Sequence, residues 1–315
     1  SIMSLGTWIQ TWLLHKICYF RWLPSIGLPT LYIEDAFRVA GGFFLAPGIS
    51  SIARCNVCPG RYLNGFHSDT MANHKPDISL FFPVYNDENT VRIVAKRALE
   101  LLEDVAGNYE VIIVNDCSPD ASGAIADQLA REHEVITVVH HPENRGYGAA
   151  MKTGIAASRY DIICMIDGDN EYDVFDLKKM LAVKDYYMLI IAFRYKKLYS
   201  TKRIFISFVY NTVLRLLFNS PFRDISTGIR LIHRAVVDDV ELTSNSPFIG
   251  AELTIKSMLR GFPVGEVGIQ TFPRDFGQGS ATSFKHIMAT IKDIFRIRKE
   301  IFSDNYNMPE GRTRG

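Results

Sequence analysis

"YDIICMIDGDNEY" (residues 160–172) joins an apolar run of strand length to three carboxylates, Asp167, Asp169 and Glu171. The run has no polar alternation, so it reads as a strand covered on both faces, the kind found in parallel sheets. Carboxylates this close repel one another unless they share a proton or flank a cation. In open α/β sheets, ligands bind beyond the carboxyl ends of the strands. The stretch therefore predicts a buried parallel sheet and marks the rim where its chemistry belongs.

The flanking sequence repeats the pattern. "ISLFFPVY" (78–85), "YEVIIVND" (109–116) and "VITVVHH" (135–141) read as further strands rich in Val and Ile. Between them, "ENTVRIVAKRALELLEDV" (88–105), "PDASGAIADQLAREH" (119–133) and "GAAMKTGIAAS" (148–158) read as helices, with Pro119 suited to a first turn. Each strand ends in polar residues: "PVYNDE", "NDCSPD", "NRGYGAA" and "DGDNEY". The fold class predicted is α/β, a mostly parallel sheet flanked by helices.

The chain has 315 residues, 47% hydrophobic and 22% charged, with a net charge of +1. That balance argues against nucleic acid as the main partner, because phosphate binding leaves a basic excess. Its five cysteines are odd in number and scattered, which predicts a reducing compartment and no disulfide framework. Cys55 and Cys58 form a C-x-x-C pair without the second pair that a zinc site needs. No window is apolar enough to span a bilayer; "LGTWIQTWLLHKICYFRWL" (5–23) is interrupted by His15, Lys16 and Arg21 and reads as a surface-lying amphipathic segment or an extension. Residues 1–70 show no sustained period and are expected to be an N-terminal extension outside the catalytic fold, which begins near Met71.

At the rim, "NRGYGAAMKTG" (144–154) combines Arg145 and Lys152 with Gly146 and Gly148 ahead of a helix N-terminus, a set suited to a diphosphate. Asp116 suits a base or ribose, or else caps the following helix, for which Ser118 is an equal choice. Asp167 and Asp169 read either as structural acids facing basic neighbours or as hard ligands for Mg²⁺ or Mn²⁺. A cation between them and a diphosphate relieves both the carboxylate repulsion and the phosphate charge.

In order and spacing, "PVYNDE", "VNDCSPD", "NRGYGAAMKTG" and "IDGDNEYD" resemble the nucleotide-sugar half of the inverting family 2 glycosyltransferases, which have the Rossmann-like GT-A fold. "RDISTGIRLIHR" (223–234) and "FIGAELTIKSMLRGFPVGEVGIQTFPRDFGQGS" (248–280) resemble the acceptor side of the dolichol-phosphate mannose synthase-like, polyprenyl-phosphate group. The resemblance covers about 77–302. It implies that Pro83, Tyr85 and Glu88 line the nucleotide, that Asp116 reads base or ribose, and that Arg145, Gly148 and Lys152 lie near the donor. Asp167 and Asp169 match the D-x-D, and Glu171 falls beside the metal. Arg194 matches an arginine facing the diphosphate or acceptor phosphate; Asp224, Ser226, Arg230 and Arg274 match acceptor-side positions. Asn115 and Cys117 depart from the family's D-D-G-S, and "STGIR" from its S-G-F-R.

The implied reaction is transfer of a sugar from a GDP- or UDP-sugar to a polyprenyl or dolichyl phosphate at the cytoplasmic membrane face, with Mg²⁺ or Mn²⁺. A same-fold transferase acting on a polysaccharide, and a non-catalytic nucleotide-binding module, are the alternatives. Were the acceptor a hydroxyl, Asp224 or Glu252 is the candidate base, against a helix-surface acid for Glu252. The expected division is an extension (1–70), a catalytic domain (71–283) with donor (77–171) and acceptor (172–283) halves, a basic amphipathic helix (284–302) and a polar tail (303–315). In that helix Ile287, Ile291, Ile294 and Ile301 fall near one face, with Lys292, Arg296 and Lys299 among its bases. It is suited to anionic headgroups or to packing on the domain, which makes the chain a peripheral protein or one borrowing a membrane-anchored partner.

Overall fold

Four strands that the sequence marks by their Val and Ile content lie side by side at the start of the fold. A computed structural model describes residues 75–195, 201–272 and 284–302. The extension 1–70, Arg274 and the tail 303–315 lie outside the described residues. β1 (Ile78–Val84), β2 (Tyr109–Asn115), β3 (Ile136–His140) and β4 (Ile162–Met165) alternate with α1 (Val91–Val105), α2 (Ser122–Glu132) and α3 (Tyr147–Ala157). After them come α4 (Leu177–Leu181), β5 (Leu189–Arg194), α5 (Thr201–Phe218), β6 (Arg230–His233), α6 (Arg234–Asp239), α7 (Ile249–Arg260), β7 (Val264–Ile269) and α8 (Phe284–Ile301).

The strands form one seven-stranded sheet in the order β3-β2-β1-β4-β6-β5-β7. All pairings are parallel except those of β6, which runs against both β4 and β5. The chain steps outward from β1 to β3 and then returns to the other side of β1. This places a topological switch point between β1 and β4, where such sheets open a crevice for ligands.

Both faces of the sheet are covered. Ile78, Leu80, Phe82 and Val84 of β1 pack with α1 on one side, where Val91, Val94, Ala95, Ala98 and Leu102 recur at helical spacing. Phe81 points the other way, into a core shared with α3, α5, α7 and α8. Gly154 of α3 sits against it, and a Cβ there would lie 2.2 Å from the Phe81 ring.

Two helices begin later than the sequence suggests. Residues 88–90 form a turn in which the Thr90 N–H bonds Asp87 O, so α1 starts at Val91. Asp120 accepts the Ser122 N–H at 3.0 Å and holds 118–121 as a turn, so Pro119 precedes α2 instead of opening it.

Helix α8 corrects the expected apolar stripe. Ile294, Ile297 and Ile301 are buried in the core, whereas Ile291 is 40% exposed. Arg296, expected to face headgroups, bonds Thr243 Oγ1 at 2.7 Å, Ser244 Oγ at 3.1 Å and Asp293 at 2.9 Å. The helix packs on the domain by one face and keeps Lys292 and Lys299 outward with Met288, Phe295 and Phe302.

Replacing Gly154 with valine pushes a branched side chain into the closed contact with Phe81. Overpacking of this kind costs about 3 kcal/mol, which a urea unfolding curve reads as a lowered midpoint with unchanged slope.

Candidate active site

The loops after β1, β2 and β4 are tied together by hydrogen bonds between strand ends. The Asn86 N–H donates to Ser118 Oγ at 2.8 Å and the Asp87 N–H to Ser122 Oγ at 3.0 Å. Glu88 bonds the next loop twice: its N–H donates to Asp120 Oδ2 at 3.0 Å, and its Oε2 accepts the Ala121 N–H at 3.1 Å. Burial pushes the Asp120 carboxyl up, but bonds from Ser118, Ser122 and the Glu88 N–H outweigh it and hold the group below the usual range. Pro83 is the penultimate residue of β1, and Tyr85, just past the strand, stands at the rim, 41% exposed.

Asn86, Cys117 and Asn170, one in each of these loops, have φ values of 61°, 54° and 58°. Left-handed backbone at non-glycine residues is costly and clusters at functional rims. It gives the departure at Cys117 a physical meaning, since that position demands the conformation a glycine adopts freely.

Asp116 is buried and does more than cap a helix. One oxygen accepts the Arg145 N–H at 2.9 Å and lies 2.6 Å from His141 Nδ1; the other accepts the Gly146 N–H at 2.8 Å. The carboxylate thus fixes the glycine-rich turn, and His141 is steadied in turn by Thr153 at 2.9 Å. The turn itself is approached by protein. The Gly148 N–H donates to Asn245 O at 2.9 Å, and a Cβ on Gly148 would lie 2.6 Å from the Asn245 carbonyl carbon. Gly146, at φ 89°, makes the bend. Lys152 donates to Asn245 Oδ1 at 2.7 Å. Burial lowers the Lys152 ammonium pKa; Glu252 opposes this, and Arg145 and Arg296 add to it.

Asp167 accepts the Tyr147 hydroxyl at 2.8 Å, and its other oxygen packs so closely on Gly228 that a Cβ there would lie 1.7 Å away. Burial, then the Asp167 charge, raises the Tyr147 phenol well above its ordinary pKa, so it remains a donor. Asp169 accepts the Glu171 N–H at 3.0 Å, and Glu171 is itself buried. No group of three such side chains is arranged to hold a metal among the described residues. Of the expected Asp167–Asp169–Glu171 set, Glu171 is buried and Asp167 holds the Tyr147 hydroxyl with one oxygen. The hard oxygens of Asp169 and Asp167 at a strand end still fit a Mg²⁺-type ion, which takes one or two carboxylates and completes its shell from phosphates and water.

Across the rim, Arg194 at the end of β5 makes a two-pronged pair with Asp224, Nε to Oδ2 at 2.7 Å and an Nη to Oδ1 at 3.0 Å. Arg194 also donates to Ser226 Oγ at 2.8 Å, and Ser226 donates to Asp224 at 2.7 Å. The loop is steadied from behind. Asn211 of α5 accepts the Ile225 N–H at 3.1 Å, and Glu266 of β7 accepts the Arg223 N–H at 2.7 Å. Three predicted residues, Arg194, Asp224 and Ser226, are therefore one cluster.

Arg230 and Glu252 serve the scaffold. Arg230 is 2% exposed and donates to the carbonyls of Gly250, Ile225 and Thr227 at 2.7, 2.9 and 2.8 Å. Glu252, fully buried, accepts the Thr243 and Ser244 N–H groups at 2.9 Å each and pairs with Lys256 at 2.9 Å. That rules out a surface acid and spends its oxygens on positioning. Sequence reasoning missed Asn245, His141 and Tyr147. Tyr147 stood inside the quoted turn, and Asn245 meets Lys152 across 93 residues with no local signal.

Cys117→Gly removes a side chain from left-handed backbone. It is expected to raise stability by about 1 kcal/mol, read from the urea midpoint.

A family model for glycosyl transferase family 2 matches residues 79–241. Polyprenol monophosphomannose synthase of Mycolicibacterium smegmatis is 28% identical over 211 residues, 63% of this chain and 78% of that protein. Human dolichyl-phosphate beta-glucosyltransferase is 33% identical over 110 residues, 33% of this chain and 34% of that one. Several other curated relatives are matched over only 23% to 33% of their own length. Among solved structures, glucosyl-3-phosphoglycerate synthase of Mycobacterium tuberculosis, in complex with Mn²⁺, uridine diphosphate and phosphoglyceric acid, superposes with a TM-score of 0.57 at 16% identity, covering 71% of this chain and 78% of that one. The shared fold is that of the GT-A glycosyltransferases.

Proposed function

The chain belongs to glycosyl transferase family 2, and we propose that it moves a sugar from a GDP- or UDP-sugar to a polyprenyl or dolichyl phosphate at the cytoplasmic face of a membrane. The lipid-phosphate relatives support the acceptor class. The observation that carries the reading is the Arg194–Asp224–Ser226 cluster. A carboxylate clamped by a guanidinium is a poor proton acceptor. The cluster thus suits an acceptor that arrives already anionic and needs positioning more than deprotonation.

On this reading a phosphate oxygen of the lipid bonds to the anomeric carbon, while the bond from that carbon to the donor diphosphate breaks and its electron pair leaves with the nucleotide. Pro83, Tyr85 and Glu88 line the nucleotide, and Asp116 holds the turn that faces it. Arg145 and Lys152 bring positive charge to the diphosphate, where leaving-group charge develops. Asp169 with Asp167 would hold Mg²⁺ or Mn²⁺, which when bound supplies further charge neutralisation there. Arg194, Ser226 and Arg274 meet the acceptor, and Arg230 and Glu252 keep their loops in place. Residues 77–171 form the donor half and 172–283 the acceptor half, with 1–70 an appendage to the chemistry. Among the described residues no helix is long and apolar enough to cross a membrane. The outward Lys292 and Lys299 of α8 support attachment to the membrane surface.

Incubation with labelled GDP- and UDP-sugars, Mn²⁺ and a short polyprenyl phosphate is expected to move label into the organic phase. Asp169→Asn lowers the rate by roughly 100-fold or more. Label passing only to water-soluble acceptors refutes the lipid-phosphate reading, and unaltered turnover in EDTA refutes the metal.

The lowered Lys152 pKa sets a pH expectation. Raising the pH through it discharges the ammonium, so kcat/KM for the donor falls at a lower pH than an ordinary lysine dictates. Lys152→Arg moves that alkaline limb upward, because a guanidinium stays charged; a limb that does not move places Lys152 away from the diphosphate.

A further inference from the structure

Helix α5, "TKRIFISFVYNTVLRLLF", is apolar on two opposite sides, and only one of them is buried. Leu214 and Phe218 enter the core, and Asn211 beside them holds the acceptor-side loop at Asp224 and Ile225. On the other side Phe205, Phe208, Val209 and Leu216 are 65%, 60%, 42% and 79% exposed. Their spacing, i, i+3, i+4 and i+11, makes them one stripe. A helix apolar all round is normally buried all round, and large apolar side chains exposed along one side, here interrupted at Thr212, mark an interaction surface.

The charge of the segment that carries the stripe identifies what covers it. Between Asp185 and Asp224 the chain has no carboxylate, while Lys196, Lys197, Lys202, Arg203, Arg215 and Arg223 all fall there. An apolar stripe within a purely basic segment complements anionic headgroups above acyl chains. Stacked on a second copy of itself, the same segment would bring like charges together.

We propose that α5 is the element that inserts into an anionic bilayer interface, with Phe205, Phe208, Val209 and Leu216 at the acyl boundary. The inner side of the same helix carries Asn211, so insertion brings the Arg194–Asp224–Ser226 cluster to the depth of a lipid headgroup. A lipid phosphate then reaches that cluster without leaving the interface. The inference deepens the lipid-phosphate reading and rests on it for its purpose, while the insertion itself is tested independently.

The full chain is sedimented with phosphatidylcholine vesicles with and without phosphatidylglycerol. Phe205 and Phe208 are exposed in the free protein, so the double substitution F205S/F208S is expected to keep the thermal midpoint and the nucleotide affinity. It is expected to weaken partition onto the anionic vesicles by roughly tenfold or more, while F205W/F208W retains or strengthens it. Equal partition of F205S/F208S and the unmodified protein overturns the inference, as does failure of the unmodified protein to bind anionic vesicles. A dimer seen by light scattering that F205S/F208S dissociates, with vesicle binding unaffected, overturns it in favour of a second copy. If the unmodified protein glycosylates only water-soluble acceptors, the lipid-phosphate reading fails, and the vesicle comparison still decides the role of α5.

Discussion

The reversed direction of β6 is the constraint on which the Arg194–Asp224–Ser226 cluster depends. In a parallel sheet only residues that follow a strand reach the carboxyl rim; those that precede one emerge at the far end. Because β6 runs against β4 and β5, the residues ahead of it, 224–229, lie at the same rim as Asp167 and Arg194. Its first residue, Arg230, pairs with Met165 and Ile191 in register. Its guanidinium then fastens the loop and the start of α7 through backbone carbonyls. A buried cation has a large desolvation cost, and burial does lower the Arg230 pKa. Carbonyl dipoles on two sides offset that cost and fix the loop's shape in return.

The first half of the fold was legible because its signals are local. Uninterrupted apolar strands followed by amphipathic helices place β1 to β4, and the switch point follows from their order. Helix starts were less legible: turns closed at Asp87 and Asp120 delay α1 and α2, and the Glu88 N–H ties those turns together across 32 residues. The candidate donor residues are marked in the sequence by their place after strands. Their partners are not: Asp116 reads as a ligand group in sequence, and only the fold reveals the amides and imidazole around it. Glu252 and Arg230 were assigned to the site by motif, and burial assigns them to its support. The distinction between a side chain that touches a ligand and one that holds the loop beside it is tertiary, and no periodicity carries it.

The rim is also where the chain accepts local cost. Three of the four non-glycine residues in left-handed backbone among the described residues stand here, one behind each of β1, β2 and β4. Hydrogen bonds between neighbouring loops compensate, so the loops order one another instead of each being stable alone. Asp167 follows the same logic: a permanently protonated Tyr147 donates to it, which ties the D-x-D loop to the glycine-rich turn. A shift in either loop is therefore felt by the other.

The segment 243–246 extends that dependence to the last helix. Arg296 and Glu300 of α8 reach it directly and through Lys256 and Glu252, and Asn245 at its tip grips Gly148 and Lys152. α8 is thus mechanically joined to the glycine-rich turn, although it lies far from it in sequence. Load borne by α8 at a surface is transmitted through these side-chain links to the glycine-rich turn. Among the described residues, α8 is the outer bolt of the glycine-rich turn.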